Sequence, residues 1–306
     1  MYVVTVDSIA KSFKSVTGLG NLSFNVEKGI VYGLIGPDGA GKTTFMRIAA
    51  CLLLQDYGII TIGGFDTVKH ASEVKRIIGY MPQHFSLYPD LSVWENLSFF
   101  ADLFGVPKKE RRERIDQLIK FSRLGSFLNL RAENLSGGMK QKLALSCTLI
   151  HTPEVLFLDE PTIGVDPVSR LEFWDLLSHI KNTGTTIVVS TPYMDEAEKC
   201  NRVGFIMNGV LIAEGSPNEF PEKYSKELIA VRGADLVKRS RKLTFPDVVL
   251  NVTTFGDRLH LTVEDARSAA PVVRTFLEKY QISGVSIEQV APSMEDVFVE
   301  HMKNAQ

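Results

Sequence analysis

The stretch that most restricts the fold runs from Ile30 to Ile35 and then into Gly36-Pro37-Asp38-Gly39-Ala40-Gly41-Lys42-Thr43-Thr44. A short apolar run that stops at a glycine reads as a buried strand. The loop after it matches G-x-x-x-x-G-K-[ST], and this pattern joins a strand to a helix. Val155 to Leu158 and Thr186 to Ser190 are also short and apolar, and each ends at a polar position. Over the first ~215 residues such runs alternate with helical stretches, which predicts a parallel sheet covered by helices. In sheets of that kind, ligands sit beyond the carboxyl ends of the strands.

The residues at those ends suggest phosphate chemistry. Glycines let backbone N–H groups close around phosphate oxygens, and the helix that follows adds the positive end of its dipole. Lys42 is expected to reach the β- and γ-phosphates, and the Thr43 hydroxyl to ligate Mg²⁺. Asp159 closes an apolar run, as a Mg²⁺-coordinating carboxylate should. Glu160 beside it could orient or deprotonate an attacking water. An Asp-Glu pair alone would read equally well as a solvated turn, and the glycine loop upstream decides between the two.

Between these segments lies Leu135-Ser136-Gly137-Gly138-Met139-Lys140-Gln141. With it, the chain resembles the ATP-binding cassette (ABC) ATPases over about residues 3 to 215, in the family's motif order. The resemblance implies ATP and Mg²⁺ as cofactors. Gly79-Tyr80-Met81-Pro82-Gln83 looks like the Q-loop, whose Gln83 would sense Mg²⁺ and the attacking water. Gly164-Val165-Asp166-Pro167 looks like the D-loop. Phe13 sits where the family stacks an aromatic on adenine, although a lone Phe near a strand also suits a core.

The implied site has Glu160, Lys42 and Gln83 in catalysis. Phe13, the loop from Gly36, Pro37, Asp38, Gly39, Ala40 and Gly41 to Lys42, Thr43 and Thr44, and Ser136, Gly137, Gly138 and Asp166 bind nucleotide. Thr43, Gln83 and Asp159 hold the metal. The resemblance also implies a partner: two such domains face each other head to tail, and each ATP is capped by the Ser136 and Gly138 type residues of the second ABC domain. The signature's serine and helix N-terminus complete the γ-phosphate shell only in that dimer.

One position departs from the pattern. The family follows the third strand with Thr-His, and here the chain reads Ser190-Thr191-Pro192-Tyr193-Met194-Asp195-Glu196. Proline has no side-chain donor and no backbone N–H, so it cannot contact a γ-phosphate as the histidine does. His151 and His179 belong to other elements. A degenerate ATP site that binds well and turns over slowly is expected. The alternative is a regulatory half that hardly hydrolyses and pairs with a competent cassette.

The expected organisation is an ABC ATPase domain over 1–215 with an inserted helical subdomain at about 84–150, and a C-terminal accessory domain over 216–306. In the insert, Ser92 is a plausible N-cap with Glu95 three residues on. Lys108 to Arg114 reads as a solvated helix face. The interval from Gln83 to Ser136 has room for a compact subdomain but not for long coiled coils. Of its aromatics, Phe99 and Phe100 read as core, while Phe85, Tyr88 and Trp94 are candidates to grip a cytoplasmic helix of a membrane subunit. Beyond Gly215-Ser216-Pro217 the pattern resets to βαββαβ, with helices at Asp235 to Arg241, Asp265 to Tyr280 and Met294 to Met302. That order fits a small α+β domain of ferredoxin-like type; regulation, dimerisation and simple packing on the cassette all remain open as its role.

Composition excludes several classes. A net charge of −2 gives no electrostatic case for nucleic acid or an anionic membrane surface. No run approaches the ~18 apolar residues that span a bilayer, and the N-terminus lacks a signal-peptide pattern. Cys51, Cys147 and Cys200 are scattered and show no metal or disulfide spacing. A reduced cytoplasmic protein, held at the inner face of the membrane through transmembrane permease subunits, is expected. Ala291-Pro292-Ser293-Met294-Glu295-Asp296-Val297-Phe298 resembles the end of ATPase subunits from bacterial exporters whose membrane subunits are separate chains. Gly36-Pro37-Asp38 and the stretch after the signature resemble the first cassette of tandem-cassette multidrug exporters.

Overall fold

The computed structural model describes residues 1–304 apart from 15, 85, 86, 241 and 283. It divides into two compact units, Met1–Gly215 and Ser216–Gln306. The first opens with β1 (Tyr2–Phe13), β2 (Val16–Glu27), β3 (Val31–Ile35), α1 (Lys42–Ala49), β4 (Tyr57–Ile62), β5 (Phe65–Asp66), α2 (Ala71–Ile77) and β6 (Ile78–Met81). The helical insert is α3 (Val93–Leu103), α4 (Lys108–Ser122) and α5 (Gly137–Leu149). The unit closes with β7 (Val155–Asp159), α6 (Pro167–Asn182), β8 (Thr186–Thr191), α7 (Met194–Ala197), β9 (Arg202–Met207) and β10 (Val210–Gly215).

Among the described residues these strands form two sheets. One has the order β10-β9-β3-β8-β7-β6, parallel except where β10 pairs antiparallel with β9. The other is antiparallel, in the order β2-β1-β4-β5. The expected parallel sheet is present, and the second sheet is an addition to it. Its strands alternate buried and exposed positions, and β2 carries Gly18, Gly20, Asn21 and Ser23, so no continuous apolar run marks it.

The core lies between the sheets. Val4, Val6, Leu22, Phe24, Ile60 and Ile62 from one sheet meet Tyr32, Leu34, Phe157 and Val188 from the other, with Phe45, Met46 and Ile48 of α1 among them. The Phe24 ring stacks on Tyr32 at 5.0 Å and tilts against Phe45 at 5.1 Å. The helix that starts at the glycine loop is thus fixed inside the main apolar cluster.

In the helical insert, Ser92 and Glu95 form a reciprocal capping box at the start of α3. Asn96 is fully buried there. Its Oδ1 accepts from Tyr88 N at 3.0 Å, and its Nδ2 donates to the carbonyls of Tyr88, Leu91 and Ser92 at 3.0–3.1 Å. The charged start of α4 is mostly exposed, as a solvated face should be. Among the described residues no helix is long and apolar enough to cross a membrane.

The second unit holds α8 (Glu219–Glu222), β11 (Glu227–Arg232), α9 (Leu236–Ser240), β12 (Val249–Phe255), β13 (Arg258–Val263), α10 (Ala266–Lys279), β14 (Ser286–Val290) and α11 (Met294–Asn304). The sequence-predicted helix over Asp235 to Arg241 forms between Leu236 and Ser240, and Arg241 lies outside the described residues. The antiparallel sheet has the order β12-β13-β11-β14, which puts the first and third strands of the unit side by side in ferredoxin-like fashion. Ile229, Val231, Leu259, Leu261 and Val263 pack against Ala269, Val273 and Leu277 of α10. The next residues along the strands face the other way. Among them, His260 Nδ1 pairs with Asp296 at 2.9 Å, which ties α11 to β13.

Asn96→Leu removes the acceptor of the Tyr88 N–H and the donor to the carbonyls of Tyr88, Leu91 and Ser92. A loss of about 2–3 kcal/mol in unfolding free energy is expected, with faster amide exchange at Tyr88. Denaturant unfolding and hydrogen exchange check both, and a change below about 0.5 kcal/mol, within the range of an ordinary surface substitution, would contradict the role given to Asn96.

Candidate active site

Three loops meet at the carboxyl ends of β3, β8 and β7, which are neighbours in the parallel sheet. The loop after β3 depends on its glycines. A Cβ added to Gly36 would stand 2.3 Å from the Ile206 carbonyl oxygen. Gly41 has a φ of +107°, and a Cβ there would lie 2.5 Å from the Gly18 carbonyl oxygen. No other residue fits either place without moving backbone.

Lys42 begins α1 and is only 3% exposed. Its Nζ donates to the carbonyls of Gly36 at 2.8 Å and Pro37 at 3.0 Å. It also lies 3.0 Å from Glu160 Oε1. The other carboxylate oxygen of Glu160 accepts from Gln83 Nε2 at 2.9 Å. Both oxygens of Glu160 are therefore engaged, and the residue is 4% exposed. Its backbone has a φ of 48°, in the left-handed region, at a cost of about 1–2 kcal/mol for a residue with a side chain. Its N–H donates to Ser190, to the carbonyl at 3.1 Å and to Oγ at 3.0 Å, which holds it there.

Asp159 is fully buried. Its Oδ1 accepts from Thr43 Oγ1 at 3.1 Å and from Ser190 Oγ at 2.7 Å. Its Oδ2 is buried with no hydrogen-bond partner. Burial pushes this carboxyl above its ordinary value; the Ser190 and Thr43 bonds oppose the shift, and the Glu160 charge adds to it. An orphaned carboxylate oxygen beside a threonine hydroxyl fits a divalent cation.

The cleft in front of these groups measures about 370 Å³ and is walled by Asp38, Gly39, Gly41 and Thr44 on the loop side, with Phe13 and Thr17 at its rim. Phe13 is 45% exposed. Gly18 makes room for its ring, since a Cβ there would come within 2.8 Å of it. Gly36 and Ala40 are buried beneath the loop.

Pro37, Asp159, Ser136, Gly137, Gly138 and Asp166 do not line the cleft either. Ser136 caps α5 by accepting from Met139 N at 3.3 Å, and both it and Gly137 are exposed. Gly138 is buried, and a Cβ on it would lie 2.4 Å from Ser169 Oγ. Asp166 caps α6 by accepting from Ser169 N at 3.0 Å. Ser136, Gly137, Gly138 and Asp166 thus do not share with Lys42 the lining of this cleft. Pro192 follows β8 directly and is half-buried.

Ser190 is the residue that the sequence left without a role. It was already legible as the polar end of an apolar run. What the sequence lacks is the register, which sets Asp159 opposite Ser190 across β7 and β8.

Asp159→Asn keeps an acceptor for Thr43 and Ser190 and removes the buried charge. A folded-state pKa above the unfolded value means that ionised Asp159 subtracts stability at neutral pH, and that this penalty fades as pH falls through the folded pKa. Without nucleotide, the variant is expected to melt higher than the parent at pH 7.5, with the difference shrinking toward acid pH. Scanning calorimetry across pH checks this, and a lower melting temperature at pH 7.5 would contradict it.

The chain is similar to known proteins. Residues 19–163 match the ABC transporter family, and residues 215–302 match the C-terminal domain of DrrA1-3-like ATP-binding proteins. The probable multidrug ABC transporter ATP-binding protein YbhF of Escherichia coli is 45% identical over 217 residues, which cover 70% of this chain and 38% of YbhF. The chain thus spans well under half of that relative. The Nod factor export ATP-binding protein I of Ralstonia nicotianae is 33% identical over 299 residues, covering 97% of this chain and 92% of that one. Among solved structures, the dimeric ATP-binding cassette MJ0796, in a post-hydrolysis state with ADP and Pi, matches with a TM-score of 0.64 at 27% identity, over 70% of this chain and 98% of that one.

Proposed function

The chain belongs to the ATP-binding proteins of ABC transporters, and from that premise we propose that it binds and hydrolyses ATP to drive an exporter. The observation that carries this reading is the convergence of Lys42, Gln83 and Glu160 in one set of contacts of 2.9–3.0 Å, beside Thr43 and the orphaned oxygen of Asp159. A γ-phosphate entering the cleft takes over Lys42. Glu160 then loses its buried cation and turns to the attacking water, which it orients or deprotonates. Thr43, Asp159 and Gln83 are the proposed holders of Mg²⁺, which when bound supplies positive charge against the phosphate oxygens. Phe13 offers adenine an exposed ring face.

Ser136, Gly137, Gly138 and Asp166 act in this reading on the ATP of a second ABC domain, in a homodimer or a heterodimer. Their place away from the chain's own cleft supports it, and so does the dimer of the related cassette MJ0796. Permease subunits are the proposed partners of the helical insert. Tyr88, Leu103 and Phe104 are exposed there, and Phe99 packs edge-on against Tyr88 at 4.5 Å. Phe99, Phe100 and Trp94 are half-buried, so the two phenylalanines read from sequence as core are partly open. Phe85 lies outside the described residues. The chain is proposed to work in the cytoplasm, on the inner face of the membrane through its permease. Relatives named for multidrug and Nod factor export support an exporter.

Pro192 makes the site degenerate in this account. Losing one donor to the transferring phosphate costs on the order of 3–4 kcal/mol at the transition state, by analogy with an oxyanion donor, or roughly 100- to 1000-fold in rate. The second reading, a regulatory half that binds ATP and hardly hydrolyses, is favoured by the same proline and by the full engagement of Glu160. Steady-state hydrolysis by the chain, Pro192→His and Glu160→Gln separates them. Pro192→His is expected to gain at least tenfold, and Glu160→Gln added in the Pro192→His background to abolish the gain. A fast parent that Pro192→His does not raise would overturn the degenerate site. Turnover absent from all three would favour the regulatory half.

A further inference from the structure

Glu196 is fully buried four residues beyond Pro192, in the short helix α7. Nothing said so far about catalysis uses it. Its Oε1 accepts from Thr162 Oγ1 at 2.5 Å and its Oε2 from Thr191 Oγ1 at 2.6 Å. Thr162 stands two residues past Glu160, and Thr191 ends β8 immediately before Pro192. Both hydroxyls are 1% exposed. The Thr191 hydroxyl also accepts from Tyr193 N at 3.1 Å, so it fixes the backbone on both sides of the proline.

Arg170 closes the arrangement from α6. Its Nε, buried and without a hydrogen bond, faces Glu196 Oε1 at 3.6 Å. Its guanidinium lies over the Tyr193 ring, 4.3 Å from the centroid, and reaches Asp195 at 3.5 Å. Arg170 N in turn donates to the Asp166 carbonyl at 2.9 Å, the residue that caps α6.

One buried carboxylate therefore joins three loops: the one carrying Glu160, the one carrying Pro192 and the helix start carrying Asp166. Burying an unpaired charge is costly, so each loop is held where its hydroxyl or cation can satisfy Glu196. Building on the ATPase reading above, we propose that Glu196, with Thr162, Thr191 and Arg170, is a positioning clasp that fixes the orientation of Glu160 toward the γ-phosphate. The Pro192 segment has no histidine side chain to make that connection, and Glu196 makes it from behind the loop.

Thr162→Val removes one hydroxyl at constant shape, and Thr162→Ser restores it. Hydrogen exchange of the MgATP-loaded chain reads the clasp whether or not the chain turns over. The expected result is at least tenfold faster exchange in both 161–166 and 192–196 for Thr162→Val, with Thr162→Ser at the parent rate. Parental exchange in both segments, or loosening of 161–166 alone, would overturn the clasp. In the Pro192→His background, Thr162→Val is expected to lower kcat about tenfold with the KM for ATP within twofold, and Thr162→Ser to recover it. A lower melting temperature with unchanged kcat would mark Thr162 as merely structural and overturn the positioning role. No hydrolysis in any form would count against the proposed function, and the exchange result would still decide the clasp.

Discussion

The contact between Lys42 and Glu160 sets the terms for the rest of the molecule. Two opposite charges lie 3.0 Å apart, with side chains 3% and 5% exposed. Such a pair is not an efficient way to stabilise a core, since desolvation offsets much of the attraction, and breaking it by removing one partner costs about 3–5 kcal/mol. Its presence makes sense as a site prepared for something more negative than a carboxylate. The glycines bring carbonyls onto Lys42, the apolar cluster around Phe45 and Met46 fixes the helix behind it, and the end of β7 presents Glu160 to it. On the proposed reading, the same geometry masks Glu160 until a phosphate arrives.

The site also divides between surfaces. Lys42, Thr43, Gln83, Asp159 and Glu160 converge within one chain. Ser136 and Asp166 cap the helices α5 and α6 and are not among the residues that line that cleft. A helix N-terminus with exposed N–H groups is an anion site awaiting an anion. On the proposed reading, this division makes ATP chemistry dependent on a partner domain and lets a chain with Pro192 in its own site still contribute Ser136 and Gly138 to another.

Much of this was legible in the sequence. The strand ends at Ile35 and Asp159 and the polar stop at Ser190 follow from short apolar runs, and the box at Ser92 and Glu95 from a local side-chain pattern. The resemblance to ABC ATPases is the source of the roles proposed for Gln83, Ser136 and Phe13. The antiparallel sheet was not legible, because half-buried strands rich in glycine and asparagine carry no continuous apolar signal. Ser190 and Glu196 were missed for a different reason. Their functions depend on which residue a neighbouring strand or loop sets opposite them, and single-chain periodicity does not encode that register. The exposed Phe104 and half-buried Phe99 likewise depend on packing between helices, which composition does not resolve.

On the proposed reading, Pro192 leaves a site that holds ATP and is slow to cleave it. The most direct test is a single turnover: the chain at a concentration that favours dimers, a substoichiometric amount of labelled MgATP, and the nucleotide recovered at intervals. The account predicts bound label that remains mostly ATP over times in which the Pro192→His chain has converted its own to ADP. Equal conversion by both chains would contradict it.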